Sequence, residues 1–331
     1  MSLLLIVLTL LAGGYIGWAI GANDAANCVG ADIGSGKMSV GQGIIITCVF
    51  SFLGALLLGG NVIKTIGKGI VPLNTLDQRI AIFIALAACF GAGTWVLIAS
   101  MNGLPVSTSH SMVGAVAGAG LAMEAPVIWK KLLDIFICWV FTPFGAGIIA
   151  YVLYRPFKRI FYMVVPKKFN NAVIVFFIFV TSTYLAFTWG ANDVANATGV
   201  ITGVGIMNSR QAAIYGAVAI IIGIATLGRK VIQTVGFGIT RLVPLMAIVA
   251  ELASGLNVHL YTVLGIPVST SHSIVGAVVG VGFTKGIRMV NKKIITEIVI
   301  AWSLTPFASG VISFLTIKLV RLFFLKWLTL P

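Results

Sequence analysis

Charge is scarce in this sequence. Of its 331 residues only 9% are Asp, Glu, Lys or Arg, and just eight are acidic. Soluble domains carry about 25% charged residues, so the shortage excludes a chain dissolved in water. No stretch is polar and long enough to form a separate soluble domain. Histidine numbers three, and Cys28, Cys48, Cys89 and Cys138 fall in or beside apolar stretches without metal-ligand spacing. The cysteines therefore read as small buried apolar side chains, not as a metal cluster.

What is abundant is apolar: 59% of residues are hydrophobic and the mean hydropathy is +1.08. Runs of about 17–25 apolar residues, long enough to cross a bilayer core, recur from end to end. The net charge of +14 comes from basic residues scattered singly or clustered between these runs. That pattern marks segments flanking a membrane on its cytoplasmic side and argues against nucleic acid as a partner. The first 20 residues lack a basic start and lead into a motif whose twin lies mid-chain, so they read as a first span, not a signal peptide.

Two polar phrases each occur twice. Residues 21–30, GANDAANCVG, return at 190–199 as GANDVANATG, with seven of ten positions identical. Residues 103–111, GLPVSTSHS, return at 265–273 as GIPVSTSHS. Trp139 with Thr142-Pro143-Phe144 matches Trp302 with Thr305-Pro306-Phe307, and Val62–Gly67 is echoed by Val231–Gly236. The chain is a duplicated unit, with a first repeat over 1–154, a basic cytoplasmic linker over 155–170 (Arg155, Lys158, Arg159, Lys167, Lys168) and a second repeat over 171–331. Spans are expected at about 2–20, 40–58, 79–101, 128–154, 171–189, 210–227, 242–263 and 294–316. Amphipathic segments fall near 61–70 and 230–241. The loop with Lys285, Arg288, Lys292 and Lys293 is more basic than its partner with Lys130 and Lys131. Given an odd number of crossings per half, that asymmetry predicts an inverted repeat with both termini outside, although Lys318, Arg321 and Lys326 argue mildly against it. Internal repeats of this size are typical of secondary transporters.

Polar groups in a bilayer are costly, and non-helical backbone survives there only inside protein or beside a cavity. Each GAND phrase is expected to break a helix with small residues, two amides and a carboxylate. Each Gly-x-Pro is expected to stop one helix, the Ser/Thr run then starting another. Helix N-termini with free N–H groups and hydroxyls suit an anion. No Lys or Arg lies in any of the four phrases, so Asp24 and Asp193 beside an anion would repel it in a low-dielectric pocket. Cations or protons must accompany the anion. Hydroxyl, amide and carboxylate oxygens suit a hard ion such as Na⁺, and linked binding of anion and cation is what symport requires.

At these residues the chain resembles the PiT family of inorganic phosphate transporters, whose hallmark is the duplicated GANDxANxxG phrase. The resemblance covers essentially the whole chain. It implies an all-α integral membrane protein, an inverted-repeat secondary transporter with broken helices and re-entrant helical hairpins, dimeric, in the cell (inner) membrane. It further implies phosphate uptake driven by Na⁺ or, in some members, H⁺, with no cofactor beyond the co-transported ion. Carried over residue by residue, Ser107, Thr108, Ser109, Ser269, Thr270 and Ser271 hold phosphate oxygens. Asp24, Asp193, Asn23, Asn192, Asn27 and Asn196 ligate Na⁺ or accept a hydrogen bond from protonated phosphate. Gln42, Gln211 and Glu251 are weaker ion ligands. Ser51 stands where many members have an acid, so ion coupling does not transfer wholesale.

Plainer readings stand beside these. Gly and Ala in the phrases serve close helix packing, the asparagines serve as interhelical hydrogen-bond partners, and His110 and His272 make structural hydrogen bonds near the site. An intramembrane hydrolase would need one activated Ser and one base; duplication of every candidate fits symmetric binding better, so no enzyme is expected. A channel needs a continuous pore, and sulfate, lacking a proton at neutral pH, is the runner-up substrate.

Overall fold

The computed structural model describes residues 3–228, 242–286 and 292–323. The expected amphipathic segment at 230–241, the echo at Val231–Gly236, Arg288 and Lys326 lie outside the described residues. Every regular element among the described residues is helical. The first half contains α1 (Leu3–Gly34), α2 (Val40–Leu58), a short α3 (Gly60–Lys68), α4 (Gln78–Met101), α5 (Thr108–Ala122) and α6 (Trp129–Val164). The second contains α7 (Asn170–Gly203), α8 (Ser209–Gly223, continued by a π turn to Gly228), α9 (Pro244–Val263), α10 (Thr270–Phe283) and α11 (Lys292–Phe323). Eight of these helical segments are long and apolar enough to cross a membrane.

Two expectations are corrected. The GAND phrases do not break their helices, because α1 and α7 run unbroken through them. Their glycines serve close approach instead. A Cβ on Gly21 would lie 2.0 Å from the Ile220 carbonyl oxygen, and one on Gly190 would lie 2.1 Å from that of Ser51. α1 is thereby held against α8, and α7 against α2. The second correction concerns the linker. α6 continues as helix through Arg155, Pro156, Lys158 and Arg159 to Val164, with these charged side chains exposed, and only a short turn precedes α7.

The breaks at the two Gly-x-Pro segments are present. Gly103 and Gly265 adopt φ of 69° and 70°, the left-handed region that glycine occupies without a Cβ penalty. They end α4 and α9 in the manner of helix C-caps. Each chain then turns back. Ser111 Oγ on α5 donates to the Ala92 carbonyl of α4 at 3.1 Å, and Ser273 Oγ on α10 to the Ser254 carbonyl of α9 at 3.2 Å. Two matching hairpins result. At about 1.5 Å per residue α5 and α10 extend roughly 22 Å, short of the roughly 30 Å of a hydrocarbon core.

The halves interlock. α5 packs on α11 and α10 on α6, so each short helix is seated on a long helix of the other half. Gly114 meets the Pro306 carbonyl and Gly276 the Pro143 carbonyl, each with a hypothetical Cβ only 2.1 Å from the oxygen. The repeated Thr-Pro-Phe segments are thus the seats for two glycine-rich helices.

Candidate oxyanion and cation site

The two hairpin tips meet the two GAND phrases at the centre of the bundle. Asn23 donates from Nδ2 to Ser100 Oγ (2.8 Å) and to the Leu104 carbonyl (3.2 Å), while its Oδ1 accepts from Val106 N–H (3.2 Å). Asn192 repeats this with Thr262 Oγ1 (3.0 Å), the Ile266 carbonyl (3.2 Å) and Val268 N–H (3.2 Å). These amides tie the non-helical Gly-x-Pro-Val segments to α1 and α7, satisfying backbone groups that no helix pairs. Ser107 and Ser269 cap α5 and α10, accepting from the N–H groups of His110 and His272 at 3.2 Å each.

One residue further, the hydroxyls face the acids. Thr108 Oγ1 lies 2.7 Å from Asp24 Oδ2 and 3.2 Å from Asp193 Oδ1, so a single hydroxyl proton bridges both carboxylates. Thr270 donates to Asp193 Oδ2 at 3.0 Å. Asn27 Nδ2 donates to Asp24 Oδ1 (3.0 Å) and Ser271 Oγ (2.7 Å), and Asn196 Nδ2 to Asp193 Oδ1 (2.8 Å) and Ser109 Oγ (3.0 Å). Ser109 and Ser271 cross to the opposite hairpin, donating to the carbonyls of Val268 and Val106 at 2.9 and 3.3 Å. Asp24 and Asp193 are buried, 1% exposed each, and among the described residues neither makes an ion pair. Uncompensated charge at that depth is costly, so the aspartates need positive partners. The Asn196 Oδ1 oxygen, buried beside Asp193, has no hydrogen-bond partner.

Twelve of the sequence-derived candidates converge here, with Ser107 and Ser269 as helix caps and Asn23 and Asn192 as loop clamps. Gln42 and Gln211 do not. Both are exposed and close capping boxes at the starts of α2 and α8, accepting from the backbone N–H of Ser39 (3.0 Å) and Asn208 (3.1 Å), so their assignment as ion ligands is corrected. Glu251 lies elsewhere, beside Asp32, Thr181 and Ser182. Asp32 sits beyond the GAND phrase and has no acidic twin in the second repeat, so the duplicated motifs do not point to it. Ser100 and Thr262 were also missed; their signal was a hydroxyl at the same repeat position.

His110 and His272 stack on Trp139 and Trp302 with ring centroids 3.7 and 3.6 Å apart. Their Nδ1 atoms lie 3.3 and 3.4 Å from the carbonyls of Trp302 and Trp139, respectively. Each ring thus joins both halves behind the hairpin tips. On the far side of these rings an apolar groove of about 1460 Å³ runs between α6 and α11. Its wall is mostly Val, Leu, Phe, Trp and Gly, with His110, His272, Tyr151 and Ser303 the few polar side chains, a lining too apolar for a hydrophilic anion.

Helical hairpins meeting duplicated polar phrases inside eight apolar spans define a multi-pass membrane transporter. A family model described as the phosphate transporter family matches residues 20–313. The chain belongs to that family. It is 32% identical to "Putative phosphate permease PF1020" of Pyrococcus furiosus, covering 95% of this chain and 96% of that protein. A similarly named protein of Chlamydia pneumoniae is 31% identical over 97% of this chain and 99% of its own length. A solved structure described as "The sodium-dependent phosphate transporter" superimposes with a TM-score of 0.87 at 29% identity, covering 97% of this chain and 100% of that one.

Proposed function

We propose that this chain imports inorganic phosphate together with Na⁺, exposing one central site alternately to the two sides of the membrane. The observation that carries this reading is the pair of buried aspartates, bridged by Thr108 and without a basic partner among the described residues, at the N-termini of two opposed short helices. An anion is stable there only with cations. Thr108, Ser109, Thr270 and Ser271 now direct their hydroxyls at carboxylates or at the opposite hairpin. On loading, these hydroxyls and the N–H groups at the starts of α5 and α10 turn to phosphate oxygens. Na⁺ ions take the place of the hydroxyl protons on Asp24 and Asp193, with Asn27 and the free Oδ1 of Asn196 completing their shells. Ser107 and Ser269 border the anion, and Asn23 and Asn192 serve chiefly by fixing the tips that hold it. A carboxylate accepting from protonated phosphate selects it over sulfate.

The halves are proposed to be inverted. Each contributes four full-length spans (α1, α2, α4 and α6 or their counterparts), and the short hairpin helix together with the non-helical segment before it is proposed to make a fifth crossing, an odd number. The exposed basic end of α6 then faces the cytoplasm and both termini face outward. The proposed assembly is a homodimer in the cell membrane. Reconstituted protein given a Na⁺ gradient alone, or a pH gradient alone, tests the coupling. Phosphate accumulation under the Na⁺ gradient supports the reading, whereas accumulation under the pH gradient only assigns coupling to H⁺. Trans-stimulation by unlabelled phosphate distinguishes a carrier from a channel.

A further inference from the structure

The groove behind the histidine rings runs the depth of a bilayer. Its wall on α6 extends from Trp129 to Tyr151, about 33 Å at 1.5 Å per residue, against roughly 30 Å for a hydrocarbon core. α5 and α10 form the floor, and α11 is the facing wall. The rims are open to the surroundings, with Phe136, Phe144, Ile148 and Phe307 56–73% exposed. A concave apolar channel of this length, set in a membrane, suits hydrocarbon chains.

The charge at its two ends is unequal. α10 runs alongside α6 in the same direction, because Gly276 rests on the Pro143 carbonyl and Gly280 on that of Gly147. The end of α10 at Phe283 therefore arrives beside Tyr151, and both line the groove. Arg155 and Lys158 continue the stripe of Gly147 and Tyr151 along α6. Lys285 follows Phe283 by two residues, and Lys293 precedes Ile295, a groove residue of α11, by two. With Arg159, this end carries five exposed cations against one acid, Glu297. At the other end Lys130, Lys131, Lys318 and Arg321 meet two acids, Asp134 and Glu124, the latter 3.6 Å from Arg321.

This imbalance selects the occupant. A second copy related by a twofold axis along the membrane normal would bring like ends together, and the cationic ends would repel. A phospholipid with a negative head group brings apolar chains to the groove and opposite charge to its basic end. Basic pockets between membrane helices bind anionic head groups in this way. We propose that the groove seats an anionic phospholipid, its chains along α5 and α10 and its head-group phosphate held by Arg155, Lys158 and Lys285. The site is independent of the transported anion and of the coupling ion.

Tryptophan quenching by lipids with brominated chains tests the assignment, since Trp129, Trp139 and Trp302 line the groove. The purified full chain is placed in phosphatidylcholine vesicles, and brominated phosphatidylglycerol is titrated in parallel with brominated phosphatidylcholine. Each basic residue near the surface favours an anionic lipid about fivefold, so wild type is expected to prefer phosphatidylglycerol by about tenfold or more. Replacing Arg155, Lys158 and Lys285 together by Gln should bring the two lipids level. Replacing Lys130 and Lys131 by Gln should leave the preference within about twofold of wild type. Val279→Phe, which narrows the floor, should weaken quenching by phosphatidylglycerol while leaving the oligomeric state unchanged. Equal quenching by both lipids in wild type overturns the site, as does a preference that the triple variant retains. Dissociation of a dimer by Val279→Phe, with quenching unchanged, assigns the groove to a second copy and overturns it too.

Discussion

Replacing Asp24 by Asn changes one oxygen to an NH₂ group and removes one of two central negative charges. In the structure Asp24 accepts from Thr108 at 2.7 Å, Asn27 at 3.0 Å and Ser271 at 3.4 Å. An amide can accept through one end only, so Thr108 or the Asn27–Ser271 pair is left facing a donor. The larger effect falls on the cation. A unit charge about 4 Å away is worth about 4 kcal/mol at an effective dielectric near 20, or about three decades in affinity. The retained amide oxygen recovers part of that. We therefore expect Asp24→Asn to raise the Na⁺ requirement for half-maximal phosphate uptake by about 10- to 100-fold, with uptake at ordinary Na⁺ nearly abolished. Asp193→Asn is expected to match it within about threefold, because the two acids occupy equivalent places. The assay is initial-rate phosphate uptake in proteoliposomes at matched protein content, over a range of external Na⁺. Uptake within twofold of wild type at low Na⁺ in either variant would refute the claim that the acids compensate the anion through a cation.

Three further outcomes are expected. Asn23→Ala and Asn192→Ala each remove a clamp on a hairpin tip, at about 1–3 kcal/mol for the buried groups left unpaired, and should lower phosphate affinity while leaving the Na⁺:phosphate ratio unchanged in dual-isotope flux. Gln42→Ala and Gln211→Ala should leave the Na⁺ dependence of uptake intact and cost at most about 1 kcal/mol as capping losses, measured by thermal unfolding in detergent. Gly114→Ala and Gly276→Ala force a Cβ against a carbonyl oxygen at 2.1 Å and should destabilise by about 1–3 kcal/mol, seen as a lowered unfolding temperature that phosphate and Na⁺ fail to restore.

Span positions were legible because lipid imposes one requirement, an unbroken apolar length, and α2 ends where its hydropathy ends. The hairpins were legible because Gly-x-Pro followed by Ser stops and restarts a helix by local chemistry. The GAND segments misled, since glycine and asparagine are poor helix formers in water. In the protein Gly21 and Gly190 are held helical by backbone from the opposing half, a contact no local window contains. The cap role of Gln42 is visible in Ser39-x-x-Gln42, a capping-box spacing, but its recurrence at Gln211 equally suits a pair of ion ligands. Asp32 is hidden for the opposite reason. It lacks a repeat partner, and its neighbour Glu251 is more than two hundred residues away.

The seating of α5 on α11 bears on how the chain is made. A ribosome releases the tip carrying Thr108 long before it has synthesised Pro306, the residue against which Gly114 rests. Until then the first hairpin has no floor, and its serine and threonine groups must wait in contact with water, lipid or an insertion factor. Losing the end of the coding sequence should therefore disable the beginning of the protein, and co-production of separate halves should restore activity only where both are present during assembly.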